Sequence, residues 1–207
     1  MSGYRFHAAL NPLAQQHIQP WDKKIGESRF FIAIPSQGSL VPGWVLILPR
    51  RPIISMMEMN EDERCDYQIF MREMLERLEA KFGPVTMFEH GASHTGSIMG
   101  CGVDHAHVHL VPLDFNLAEE AVSDTSTGLT WCEITANMNR AELVRLGQHY
   151  MTITIPTGRT FLSVGGAPTS QYLRKLIAAR LGKGRRWDYN AHPYVDNVLE
   201  TLVRLDG

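Results

Sequence analysis

Cysteine is scarce in this chain of 207 residues: Cys65, Cys101 and Cys132 are the only three, and none forms a CxxC pair. An odd count at wide spacing fits reduced thiols better than a disulfide framework, and it argues against a structural zinc site built from paired cysteines. Charge of one sign is lacking too. Twenty Lys and Arg stand against 22 Asp and Glu, a net charge of −2, so no strong overall field draws the chain to nucleic acid or an anionic membrane. No stretch approaches the roughly 18 apolar residues of a membrane helix. The first 30 residues hold neither an apolar h-region nor a basic start, so no signal peptide is expected. Internal repeats and low-complexity tracts are absent. These absences predict a cytoplasmic protein with neither membrane nor nucleic acid as partner. What remains is 44% apolar and 20% charged, the composition of an ordinary globular chain with room for one compact domain or for one domain with an appendage.

Residues 1–28, with Pro12, Pro20 and several Gln, read as an irregular arm laid on the core. Phe30–Ile34 and Trp44–Leu48 are apolar runs separated by a long turn with Pro35, Gly38, Pro42 and Gly43, which predicts a strand pair. Asn60 followed by Glu61, Asp62 and Glu63 reads as a helix N-cap with acids in the first turn. Phe70, Met71, Met74, Leu75 and Leu78 continue that helix to Gly83-Pro84, its methionines reading as core filler. Strands are predicted at 85–88 and 103–111, a small-residue loop from Gly91 to Gly102, and a short helix over 117–124. A hairpin over 150–155 and 160–164 and helices over 170–181 and 193–205 complete the chain. With no βαβ rhythm, this pattern predicts an α+β fold on an antiparallel sheet.

Histidine is what the chain has in excess. Three of the nine fall at His105, His107 and His109. On a strand, residues two apart share a face, so the three would line one side while Ala106, Val108 and Leu110 pack on the other. Core packing accounts poorly for this, because each imidazole needs partners for both ring nitrogens. Two chemical readings remain. One is a metal site, with HxH supplying two ligands and Glu89, His90 or His94 a third; His105, His107 and Glu89 would then serve a metal-dependent hydrolase. The other is covalent catalysis by an imidazole at an electrophilic phosphorus. Gly96, Gly100 and Gly102, just upstream, favour the second, since glycine lets backbone N–H groups approach an anion closely.

The run Gly100-Cys101-Gly102-Val103-Asp104-His105-Ala106-His107-Val108-His109-Leu110-Val111 resembles the signature of the histidine-triad (HIT) superfamily. Phe88-Glu89-His90-Gly91 resembles an upstream segment of the same superfamily, and Gly100-Cys101 is similar to its galactose-1-phosphate uridylyltransferase branch. Leu40–Pro49 is similar to the family strand that enters the first core helix, and the match spans about residues 27–113. The resemblance implies a HIT-like antiparallel sheet with a helix packed across it, a homodimer, and a two-step reaction needing no metal or cofactor. His107 would attack the α-phosphorus of a nucleotide-like substrate and pass the nucleotidyl group to water or another acceptor. His105 would orient His107, and His109 would contact phosphate. His90, Glu89, His94, Gly100 and Gly102 are the candidate substrate-binding positions around it. Ser36 stands nearest the place where many family members hold ribose with an acid. Two other departures from the pattern are Pro52, where many members carry a histidine, and Gly102, where many carry a phosphate-binding serine.

The division expected is an arm at 1–28, a HIT-like catalytic domain at 29–125, and an α+β extension at 126–207 made of the hairpin and helices. The basic tract from Arg174 to Arg186 reads as a solvated helix face balancing the acids at 58–79, with a basic rim at the site as the alternative. Pro168-Thr169-Ser170-Gln171 reads as a plain helix cap, with an anion site at its free N–H groups as the alternative. Trp187–Tyr189, with His192-Pro193, resembles a segment of longer bacterial HIT-like proteins and serves packing or a lid. The function expected is a nucleotidyl hydrolase or transferase acting at a nucleotide α-phosphate. A non-catalytic nucleotide- or metal-binding module using the same histidines is the alternative.

Overall fold

The two apolar runs flanking the Pro/Gly turn pair as the pattern predicts. Strands β2 (Phe31–Pro35) and β3 (Val45–Pro49) are antiparallel, Ala33 opposite Ile47. Every residue of both is buried, because the sheet is covered on its two faces. The computed structural model describes residues 5–11, 18–92, 94, 104–135, 138, 144, 148–166 and 170–206. Among these, six further strands complete one sheet: β1 (Gly26–Glu27), β4 (Val85–Gly91), β5 (Val108–Pro112), β6 (Cys132–Ile134), β7 (Tyr150–Thr154) and β8 (Thr160–Val164). Its order is β1-β2-β3-β5-β4-β7-β8-β6, with antiparallel neighbours throughout. The architecture is α+β. The C-terminal hairpin β7–β8 extends the sheet through β4, with Phe88 opposite Ile153.

The helices are α1 (His7–Leu10), α2 (Glu61–Phe82), α3 (Leu117–Ser123), α4 (Tyr172–Arg180) and α5 (Val195–Asp206). Helix α2 starts where its cap predicts. Asn60 Oδ1 accepts the Glu63 N–H and Glu63 Oε2 accepts the Asn60 N–H, both at 2.9 Å. Arg51 grips the same Glu63 carboxylate with two bonds of 2.8 Å, tying the exit of β3 to the start of the helix. Phe70, Met71, Met74 and Leu78 of α2 share one core with Val198, Leu202 and Leu205 of α5, against Phe31, Ala33, Val45 and Ile47. The opposite face is covered by Phe6 beside α1, by Leu117, Ala118 and Ala121 of α3, and by Leu173, Ile177 and Ala178 of α4. No helix of the described residues is long and apolar enough to cross a membrane.

The structure departs from the sequence reading in three strands: β1, at Gly26–Glu27, falls inside the arm read as irregular. β6 was not anticipated; its three residues are short and half exposed, so they carry little pattern. β5 starts at Val108 rather than at 103, so His105 and His107 lie ahead of the strand and not on it. The segment is drawn off the ladder toward the stretch after β3: Ala106 N–H donates to Ile53 O at 2.6 Å and a His105 ring nitrogen bonds Pro49 O. The glycine-rich loop, with Gly100, Cys101 and Gly102, lies outside the described residues.

One turn glycine is required. Gly38 sits at φ +72° in the β2–β3 turn, and an added Cβ would stand 2.5 Å from Tyr189 Cβ. Its N–H donates to Pro193 O at 2.8 Å, and its carbonyl accepts from Arg174. A Gly38→Ala variant is expected to lose about 1–3 kcal/mol, read from its urea midpoint; an unchanged midpoint would mean that the 189–193 segment moves aside freely.

Candidate functional site

Three hydrogen bonds set the tautomers of the triad. His105 Nε2 lies 2.7 Å from Pro49 O, and His107 Nδ1 lies 2.8 Å from His105 O. A carbonyl only accepts, so each of those nitrogens carries the proton. Neutral His107 therefore keeps its lone pair on Nε2. At His109 the logic reverses. Trp44 Nε1–H, a donor only, points at His109 Nδ1 at 2.9 Å, so the proton of neutral His109 sits on Nε2.

The rings pack as a cluster on the sheet face covered by α1, α3 and α4. His107 and His109 have centroids 4.9 Å apart, and His109 stacks on Phe88 at 4.3 Å. Phe6 stands edge-on to His105 and His107, at 5.8 and 5.5 Å. Burial drives all these imidazoles toward the neutral form. It pushes His107 down to about 4, with His105 and Arg5 adding repulsion against the favourable His105 carbonyl. His90 also falls to about 4, through burial and then His149 and His107. His109 lies well below the ordinary histidine value, by burial and then His107, Arg174 and His90.

Two small cavities meet at this cluster. One is lined by Arg5, Phe6, Ser36, Gln37, Leu46 and Tyr189, together with His107, His109 and Arg174. The other is lined by Phe88, His90 and the α4 start from Gln171 to Arg174, with His107 and His109 again. His90 Nε2 is buried there with no hydrogen-bond partner among the described residues. Arg174 is 4% exposed. It donates to Trp187 O at 3.1 Å and to Gly38 O, and it lies over the Trp44 ring at 4.6 Å.

The sequence-predicted residues thus divide. His105, His107, His109 and His90 come together, and Ser36 lies at the rim of the first cavity, its hydroxyl donating to Gln37 O at 3.2 Å. Glu89 points to the other face: its Oε1 accepts the Met56 N–H at 2.9 Å and the Tyr150 hydroxyl at 2.5 Å. His94 is exposed and pairs its ring with His149 at 5.9 Å. Gly100 and Gly102 lie outside the described residues. Among the described residues, no three or more His, Cys, Asp or Glu side chains are grouped to hold a metal ion.

Trp44, Arg5 and Phe6 carry no sequence signal for the site, whereas Arg174, Gln171 and Tyr189 stand in segments for which a basic rim, an anion site and a lid are the lesser readings. Arg174 stood inside a tract read as a solvated face balancing the acids at 58–79. The structure corrects this for Arg174, while Arg180, Arg185 and Arg186 of the same tract are exposed. Arg174 is buried, Lys175 and Lys183 lie over Trp187 and Tyr194, and Arg180 pairs with Glu120 at 3.2 Å. The plain-cap reading of Gln171 also fails, because its side chain makes no cap hydrogen bond. Glutamine's weakness as an N-cap was the available signal.

The Trp44 bond is open to a direct test. In Trp44→Phe, His109 Nδ1 loses its donor inside the core, with an expected cost of about 1–3 kcal/mol. Ring nitrogen NMR should show His109 moving from a single Nε2–H form to a mixture; an unmoved tautomer would mean that another group fixes it.

Sheet, cover and histidines together define an α+β protein with a buried cluster of neutral imidazoles at the edge of two cavities. Residues 19–116 match the family model of the HIT domain. Solved structures similar to it include a HIT-like protein involved in cell-cycle regulation from Bartonella henselae, at 13% identity and TM-score 0.42, covering 54% of this chain and 79% of that one. Another is a hypothetical histidine triad nucleotide-binding protein from Sulfolobus tokodaii, at 14% identity and TM-score 0.41, covering 53% and 70%. A protein from Streptococcus mutans aligns at 20% identity and TM-score 0.43, covering 56% and 71%. No curated protein matches the chain. Arg5, Phe6, Gln171, Arg174 and Tyr189 lie outside the matched domain, so the segments that flank it build part of the site.

Proposed function

We propose that the chain is a nucleotidyl hydrolase or transferase that cleaves a phosphoanhydride, phosphoramidate or phosphoester bond at a nucleotide α-phosphate through a nucleotidyl-His107 intermediate. The observation that carries this reading is the His107 Nδ1–H bond to its neighbour's carbonyl, which leaves the Nε2 lone pair as nucleophile. In the first step Nε2 forms the N–P bond as the bond from phosphorus to the leaving group breaks, and the leaving atom takes that electron pair. In the second, water or an acceptor hydroxyl forms a new P–O bond. The N–P pair returns to Nε2, and the acceptor's proton is released. His109 Nε2–H donates to a phosphate oxygen as charge builds on it. His105, by its bond to Pro49 O, holds the segment that carries the attacking ring and is a positioning residue. The cavity with Ser36, Leu46, Phe6 and Tyr189 suits the nucleoside, offering apolar walls and a hydroxyl. The domain division at residues 28 and 125, a homodimer and a cytoplasmic location belong to the same reading; sedimentation at micromolar concentration tests the homodimer.

The test is intact-protein mass spectrometry after brief mixing with nucleoside phosphoramidates, dinucleoside polyphosphates or nucleotide sugars. The quench stays above neutral pH, because phosphohistidine is acid-labile. One nucleoside monophosphate added to wild type and absent from His107→Ala is the expected result. No adduct and no turnover with any compound would overturn the reading in favour of a binding module.

A further inference from the structure

The cavity beside His90 is built by a helix that the HIT domain does not contain. Its wall is the first turn of α4, whose first N–H groups have no acceptor within the helix. The positive end of the helix dipole therefore faces the histidine cluster. Three observations go beyond that helix end. Gln171, the N-cap residue, is held in the left-handed region at φ 59° although it is not glycine. It is 8% exposed, its side chain makes no cap bond, and its Oε1 is buried without a partner among the described residues. His90 Nε2 is a second buried atom in the same cavity with no hydrogen bond. Unsatisfied groups of this kind are costly unless a ligand meets them.

The charge at this place is positive. Arg174 lines both cavities, held by two backbone carbonyls and the Trp44 ring. No carboxylate lines either cavity among the described residues. The terminal amide of Gln171 turns over at little cost, so it can present Nε2–H where Oε1 now lies. His90 likewise presents a donor in its Nε2–H tautomer. Helix N–H groups, an amide, an imidazole N–H and a guanidinium then converge on a space that His107 also lines and that is distinct from the cavity with Ser36 and Tyr189.

We infer that the first turn of α4, with Gln171, Arg174 and His90, is a second phosphate subsite that receives the leaving group, so that the bond broken is a phosphoanhydride. This rests on the reading of His107 as nucleophile. When the N–P bond forms, the departing β-phosphate carries away the electron pair of the P–O bond as negative charge. That charge develops against the helix end and Arg174. An amine leaving group, which must gain a proton instead, draws no advantage from this lining.

The test compares three adenosine substrates with different leaving groups: diadenosine tetraphosphate, adenosine 5′-phosphoramidate and the p-nitrophenyl ester of adenosine monophosphate. Wild type is expected to favour the tetraphosphate in kcat/KM. Gln171→Gly suits the left-handed backbone and keeps the fold, which a melting curve checks. In that variant the ratio of kcat/KM for the tetraphosphate over the ester is expected to fall about tenfold. Inhibition by inorganic pyrophosphate should weaken by a similar factor. An equal loss on all three substrates, or a wild-type preference for the phosphoramidate, would overturn the subsite while leaving nucleotidyl-His107 in place. Absence of an adduct with every substrate would remove the underlying reading itself, so the two failures are distinct.

Discussion

A His107→Ala variant is expected to form no nucleotidyl adduct and to turn over roughly 10⁴-fold or more slowly than wild type, while melting close to it. The size follows from the loss of the attacking group itself rather than of a supporting contact. The fold survives because the packing around position 107 is carried by others. Ala106, Val108 and Leu110 sit in the α2 core, and Phe88 stacks on His109. Among the described residues, His107 contributes one bond to its neighbour's carbonyl and edge-on ring contacts with Phe6 and His109. His105→Ala makes the contrast. It strips Pro49 O of a buried donor and should lower stability by about 1–3 kcal/mol as well as activity. Turnover of His107→Ala within tenfold of wild type would sink the covalent mechanism.

The second large effect is in pH. Because burial pushes His107 down to about 4, the proposed nucleophile stays unprotonated through the neutral range. The rate of adduct formation should therefore be flat from about pH 8 to 5 and should halve only near 4, not near the ordinary histidine value of about 6.5. Stability carries the same signature. The unfolded chain protonates His107 and His90 near 6.5, whereas the folded chain protonates them only near 4. Between those values the unfolded state binds more protons, so the contribution is full above about 6.5 and is lost as pH falls toward 4. Each ring should cost about 2 kcal/mol between pH 7 and 5, and His90→Phe should remove its share from the slope of urea stability against pH. A half-point for adduct formation near 6.5 would mean that His107 is solvated in the reacting state.

Local pattern carried much of the architecture. The β2–β3 pair, helix α2 from its Asn60 cap to Gly83 and the β7–β8 hairpin all follow from periodicity and punctuation over neighbouring residues. The histidine run pointed to the site because three imidazoles at alternate positions have no ordinary packing role. The strand start was misplaced, since alternation continues through 104–107 while the hydrogen bonds there go to Ile53 and Pro49. The pull comes from a segment about fifty residues away in sequence, and no local pattern reports it.

What the chain determines by itself, then, is the α+β class, the match to the HIT domain and the histidine run that marks the candidate site. These are written in contiguous segments whose spacing is readable. The tertiary structure alone decides which ring nitrogen of His105 and of His109 carries the proton, because the deciding partners, Pro49 and Trp44, lie more than fifty residues away in sequence and reach the triad only when β3 comes beside β5. It decides also that Glu89 turns away from the cluster and that Arg174 is buried in it. The first follows from the Met56 N–H and the Tyr150 hydroxyl that hold the Glu89 carboxylate, and the second from how α4 and the 184–194 segment fold back over the sheet; a charge's surroundings after such a return are a property of the packed molecule, not of its neighbours along the chain.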